Sequence, residues 1–152
     1  MKAPDFWKAH YVISTEPQKI ASSMQSDVFT SIYDRFELVS FRRGQAEPNI
    51  LISPGSGGHA FVFAELAYCL HRRGFNVFIM PKHGGRSINE LMARHNDALD
   101  HIGRNFSAPI GVFSEGLGGL VTFYLALARA PFRSAVYQNS PAILTEAKLE
   151  WS

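Results

Sequence analysis

The residues best placed to do chemistry lie in Ile110-Gly111-Val112-Phe113-Ser114-Glu115-Gly116-Leu117-Gly118-Gly119, where an apolar strand-like run meets an apolar helix-like run. A serine at such a junction projects from the carboxyl edge of a sheet, where open α/β folds bind ligands, and Gly116 lets the turn pass without a Cβ clash. Ser114 is therefore the candidate nucleophile. The backbone N–H of Glu115, backed by the start of the following helix, is the first expected donor to an oxyanion. A second donor is expected from the loop Pro54-Gly55-Ser56-Gly57-Gly58, with Ser56 ahead of Gly57. A serine hydroxyl also needs a base. Of the six histidines, His59 and His83 sit on loops at the same sheet edge and are the candidates, although plain loop hydrogen bonding explains them as well. His10, His71 and His101 read as surface residues, and His95 as packed beside the sheet. Glu115 reads as solvated or as pairing with the helix dipole.

The elements that must position these residues follow from periodicity and punctuation. Thr15 to Gln18 has capping-box spacing, and Ile20, Met24, Val28 and Ile32 recur at steps of four, predicting an amphipathic helix outside the chemistry. Phe36 to Arg42 reads as a strand, and Asn49 to Ser53 as a short buried one. A helix follows with Phe63, Leu66, Ala67 and Leu70 on one face, closed by Arg72, Arg73 and Gly74. Asn76 to Met80 is the next strand. Ser87 and Glu90 then form a capping box for a helix reaching about Phe106, with Ile88, Leu91, His95, Ala98, Leu99 and Ile102 inward. Pro109 to Phe113, Glu115 to Ala130 and Ser134 to Gln138 complete the series as strand, helix and strand. Strand and helix units of this length predict a three-layer α/β sandwich with a mostly parallel sheet, in one domain spanning residues 1–152.

Composition narrows the function classes. The chain has 152 residues, 46% of them hydrophobic, with a formal charge of +2 and no basic stripe, which argues against nucleic acid and anionic membranes as partners. The single cysteine, Cys69, excludes an intrachain disulfide and a multi-cysteine metal site, and its apolar neighbours predict a buried thiol. No stretch approaches the roughly 18 apolar residues of a membrane span. No metal or other cofactor is expected, and a cytoplasmic location is.

Taken in order, four blocks resemble the α/β-hydrolase family, in particular its monoacylglycerol lipase or lysophospholipase-like branch. They are Ser53-Pro54-Gly55-Ser56-Gly57-Gly58, Lys82-His83-Gly84-Gly85-Arg86-Ser87, Ser114-Glu115-Gly116 and Asn139-Ser140-Pro141-Ala142. The likeness covers roughly residues 48–144, within a hydrolase-like core of about 36–144. It implies hydrolysis of a carboxylic ester or related acyl substrate through an acyl-serine intermediate on Ser114. There are departures. Val112 stands where the family has Gly two residues before the serine, Pro54 replaces a histidine, Met80 an aspartate and His83 a glycine. The family's acid and histidine follow the nucleophile, whereas after Ser114 this sequence holds no histidine or aspartate, only Glu115, Glu146 and Glu150.

The expectation is thus the N-terminal half of a serine hydrolase, truncated and weakly active by itself. It should self-associate or bind a complementary C-terminal chain through an uncovered strand edge. Two other readings compete. One is a non-catalytic, hydrolase-like binding or interaction fragment. The other is a dinucleotide-binding domain, since Gly55-Ser56-Gly57-Gly58-His59-Ala60 satisfies the loose phosphate-loop fingerprint. Against the latter, Met80-Pro81-Lys82 stands where an acidic ribose ligand belongs, leaving only Arg86 for a 2′-phosphate.

Overall fold

The computed structural model describes residues 3–128, 130 and 132–140. The helices are α1 (Ala3–His10), α2 (Pro17–Ser23), α3 (Ala60–Arg72), α4 (Ile88–Asn105) and α5 (Gly116–Leu127). The strands are β1 (Gln25–Thr30), β2 (Arg35–Phe41), β3 (Asn49–Ser53), β4 (Asn76–Ile79), β5 (Ile110–Glu115) and β6 (Phe132–Gln138). They form one six-stranded sheet in the order β1-β2-β4-β3-β5-β6. β4, β3, β5 and β6 are parallel, while β1 and β2 run antiparallel at one side.

Alternation along the strands divides the core into two layers. Phe36, Leu38, Leu51, Phe78, Ile110 and Val112 pack under α4 and α5 with Leu91, Leu99, Ile102, Val121 and Leu125. Val39, Phe41, Ile52, Val77 and Ile79 point the other way, against α3 and the N-terminal Trp7 and Ile20. The three-layer α/β architecture expected from the sequence is present, with an antiparallel pair added to the parallel strands. Because β3 is flanked by β4 on one side and β5 on the other, helices leave its neighbourhood in opposite directions. The carboxyl ends of β3 and β5 therefore border the crevice where doubly wound sheets bind ligands.

Several local expectations are met. α4 begins with the Ser87/Glu90 capping box, both reciprocal hydrogen bonds being made. Its buried face includes Leu91, His95, Ala98, Leu99 and Ile102, and also Arg94. At the amino ends of β3 and β4, the buried Asn76 amide accepts from the Arg43 N–H (2.7 Å) and donates to the Gly44 carbonyl (2.7 Å).

Other expectations are corrected. The four-residue recurrence from Ile20 to Ile32 is not one helix: α2 stops at Ser23, and Val28 and Ile32 are exposed on and after β1. Val28-Phe29-Thr30 suits an edge strand better than a helix, and its ladder to β2 satisfies the backbone. The Thr15 capping box is also absent, the α2 N-cap being Glu16 without a side-chain cap. Leu66 and Cys69 fall on the outer face of α3 and are exposed, so the thiol is not buried. Pro141, Ala142, Glu146 and Glu150 lie outside the described residues.

Candidate functional site

The loop after β3 and the junction of β5 with α5 meet at the crevice. Ser53 and Ser114 are opposite one another in the β3–β5 ladder. The loop closes by a Gly58 N–H to Gly55 carbonyl bond (3.0 Å), and the next turn is stitched to it by Gly84 N–H donating to the Ser56 carbonyl (3.1 Å). Among the described residues, neither the Ser56 nor the Gly57 N–H has a backbone acceptor, which leaves both available as donors.

Ser114 is not at the turn. It is the fifth residue of β5 and fully buried. The alternation that turns Ile110 and Val112 under α5 carries Ser114 to the same face, where its hydroxyl lies 2.8 Å from Thr122 Oγ1. The turn residue is Gly116, at φ +50, in the left-handed region where a nucleophile elbow holds its reactive side chain. A Cβ there would meet only the Gly55 Cα at 3.5 Å, so the position has room for a side chain that this sequence does not supply. Gly118 has a different reason to be glycine: a Cβ would fall 2.3 Å from the Ser53 carbonyl oxygen, because α5 crosses directly over the end of β3.

This geometry corrects the assignment of Ser114 as an elbow nucleophile. The positions of a Gly-x-Ser-x-Gly elbow fall on Ser114-Glu115-Gly116-Leu117-Gly118, with Ser114 where the first glycine would be and Gly116 where the serine would be. In this register the departure moves from Val112 to Ser114 and Gly116, which is why the sequence by itself favoured Ser114 as the elbow residue. Glu115 is the last residue of β5, opposite Gln138. The N–H groups without intrahelical acceptors instead begin the first turn of α5, with Leu117 following the elbow residue.

The two candidate bases do not converge on the elbow. His83 is buried, its Nε2 3.0 Å from Ser53 Oγ, and His95 Nε2 approaches the same oxygen at 2.8 Å. The Leu91 carbonyl, 2.7 Å from His95 Nδ1, can only accept, so that nitrogen carries the proton. Ser53 consequently donates to His95 Nε2 and accepts from His83 Nε2–H. This leaves His83 Nδ1 buried and without a partner among the described residues. Burial is the main force lowering His83 to about 3 and His95 to about 4, so both rings are neutral.

His59 is the N-cap of α3, edge-on to Phe6 at 5.0 Å, with burial and then Lys82 lowering its pKa. It borders a separate hollow of about 420 Å³ with Phe61, Lys82 and Glu37, to which no elbow residue contributes. The turn carrying His83 is held from behind by Asp34. That carboxylate bonds Arg94 and reaches Arg86 at 2.7 Å, and the Arg94 hydrogen bond is the main force holding its pKa low. Arg86 is thus committed to a structural pair.

Over the elbow is a cavity of about 440 Å³ lined by Tyr11, Ser56, Gly57, Glu115, Gly116 and Leu117, among others. Tyr11, to which sequence reasoning assigned no role, forms part of this wall. Metal-ligand clusters of three or more His, Cys, Asp or Glu are absent among the described residues. Met80 is fully buried in the core, so no acidic ribose ligand stands at the end of β4 and the dinucleotide reading has no support there.

This strand order, with helices on both faces of a mostly parallel sheet, is that of the α/β-hydrolase fold, and the chain has it. Solved structures of that fold are similar to it. Epoxide Hydrolase A from Mycobacterium thermoresistibile superposes with a TM-score of 0.66 at 17% identity, covering 84% of this chain and 44% of that one. A cold-adapted esterase from an Arctic intertidal metagenomic library gives 0.64 at 16%, covering 76% and 60%. A thioesterase domain from the curacin biosynthetic pathway gives 0.68 at 14%, covering 84% and 50%. The chain spans about two fifths to three fifths of the length of these structures. No family model and no curated protein matches the sequence. The neighbours are hydrolases of several kinds, and the lipase branch suggested by the sequence blocks is not singled out among them. No helix among the described residues is long and apolar enough to cross a membrane.

Proposed function

We propose that this chain is a hydrolase-fold binding module that holds a small carbonyl compound over the elbow without forming an acyl-serine on Ser114. The observation that carries this reading is Gly116, at φ +50, in the seat of the nucleophile. What supports binding is that the Ser56 and Gly57 N–H groups lack a backbone acceptor among the described residues and that both residues line one cavity with Gly116 and Leu117 at the start of α5. The part that reacts is not retained among the described residues, because Ser114 is sealed in the core and both candidate bases face elsewhere.

Hydrolysis of esters or related acyl substrates, the activity the sequence blocks suggest, would need another nucleophile. The cavity wall offers the hydroxyls of Ser56 and Tyr11, and no histidine borders it among the described residues. An activated ester such as 4-nitrophenyl acetate tests the proposal. The expected result is turnover at the buffer background, unchanged by Ser114→Ala. Enzymatic turnover lost in Ser114→Ala would refute it.

A further inference from the structure

The side chains that wall the elbow cavity carry more information than its backbone donors. Glu115 is the only charged residue among those described as lining it, and its carboxylate stands beside Gly55, 3.8 Å from where a Cβ on that glycine would be. Among the described residues, no cation lies within ion-pair distance of Glu115.

Tyr11 enters from the other end of the chain and is fixed on both sides. Before it, the buried Trp7 donates through Nε1 to the Phe61 carbonyl (2.7 Å), and the Tyr11 N–H bonds the Trp7 carbonyl (2.9 Å). After it, the Glu65 carboxylate accepts from the N–H groups of Ser14 (2.8 Å) and Thr15 (2.7 Å). The backbone on both sides of Tyr11 is thus held, and its exposed ring, 5.5 Å from that of Phe6, lines the cavity.

A carbonyl oxygen suits the N–H groups of Ser56 and Leu117, whereas a free carboxylate would bring its charge towards Glu115. An ammonium group is attracted both by that carboxylate and by the face of a tyrosine ring. We propose that the elbow cavity selects carbonyl compounds that carry an ammonium group, with Glu115 as counter-charge and Tyr11 as aromatic wall. This rests on the reading above that the cavity holds carbonyl compounds without cleaving them.

The test uses isotope-labelled protein at pH 6.5 and three probes that share a phenyl ring: L-phenylalaninamide, 3-phenylpropanamide and 3-phenylpropanoate. The first two differ only in the ammonium group. Amide resonances of residues 55–58 and Leu117 report occupancy of the cavity, and their titration gives the affinities. L-Phenylalaninamide is expected to bind about fivefold more tightly than 3-phenylpropanamide, with 3-phenylpropanoate weakest. Glu115→Gln should narrow the ratio between the two amides, and Glu115→Gln with Tyr11→Leu should bring them to equal affinity. Tyr11→Leu should narrow their ratio while leaving 3-phenylpropanamide bound. Equal affinities in the unmodified protein, or a ratio that Glu115→Gln leaves unchanged, overturns the ammonium selectivity and leaves the carbonyl reading standing. If neither amide moves the resonances of residues 55–58 and Leu117, the carbonyl reading fails and the selectivity with it.

Discussion

Ser114 Oγ and Thr122 Oγ1 lie 2.8 Å apart, and the direction of the bond between them follows from their surroundings. Thr122 sits in the second turn of α5 with its hydroxyl 3.0 Å from the Gly118 carbonyl and 3.2 Å from that of Gly119, acceptors that take its only proton. Ser114 is therefore the donor to Thr122. The serine ties strand to helix, and its proton is already committed. Ser114→Ala should then cost about 1 kcal/mol of stability, the net worth of one hydrogen bond. Thr122→Val should cost more, roughly 1–3 kcal/mol, since it strands the Ser114 donor in the core. Urea denaturation of the two variants ranks them, and the opposite order would mean that Thr122 is the donor.

Gly116 and Gly118 are two residues apart and should respond differently to alanine. At Gly116 a Cβ clears its neighbours, and the penalty is conformational, on the order of 1–2 kcal/mol for the left-handed region. At Gly118 it would overlap the backbone oxygens of Ser53 and Pro54, at 2.3 and 2.4 Å. Gly118→Ala must lift α5 off the sheet, and should cost several kcal/mol or prevent folding. Gly116→Ser, expected to fold, should remain inactive towards 4-nitrophenyl acetate, as no histidine borders the cavity among the described residues. Equal losses for the two alanine variants, read from denaturant midpoints, would contradict this placement of the elbow.

The neutral pair His83 and His95 should make the fold acid-sensitive. Burial lowers them from 6.5 to about 3 and about 4, so between about pH 4 and 6.5 the unfolded chain binds more protons than the folded one. Stability therefore rises with pH across that window, levels off above it and is lost as pH falls. The slope is at most about 1.4 kcal/mol per pH unit for each histidine. Asp34, also lowered, adds to the loss at the acid end. Denaturant midpoints measured from pH 4.5 to 7.5 should show the slope, and His83→Gln should reduce it. A flat profile would mean that the rings are solvated when folded.

On the outer side of β6 no further strand pairs among the described residues. Val136 and Tyr137 on that strand are exposed, as are Phe123, Tyr124 and Leu127 on the adjoining helix. Unpaired strand groups beside apolar surface favour association. Light scattering should show an apparent mass that rises with concentration, and Leu127→Lys with Val136→Lys should lower it. A constant monomer mass in the unmodified protein would show that the surface is covered.

The sequence determined the layers and most of the elements by itself, because burial on both faces of a parallel sheet and the 3.6-residue stripe of α4 leave strong periodic signals. It also located the crevice, since a glycine-rich loop after one strand and a glycine-rich turn after another can meet only at the carboxyl edge. It did not determine which residue occupies the turn. Extending β5 by two residues moves Ser114 from the elbow into the core and puts Gly116 in its place, and strand ends follow from pairing with β3 and β6, which local sequence does not encode. Nor could it show that His83 turns inward to Ser53 while His59 faces another hollow, or that Tyr11 reaches the elbow. Those placements depend on contacts between segments some 30 to 100 residues apart, and only the packed chain settles them.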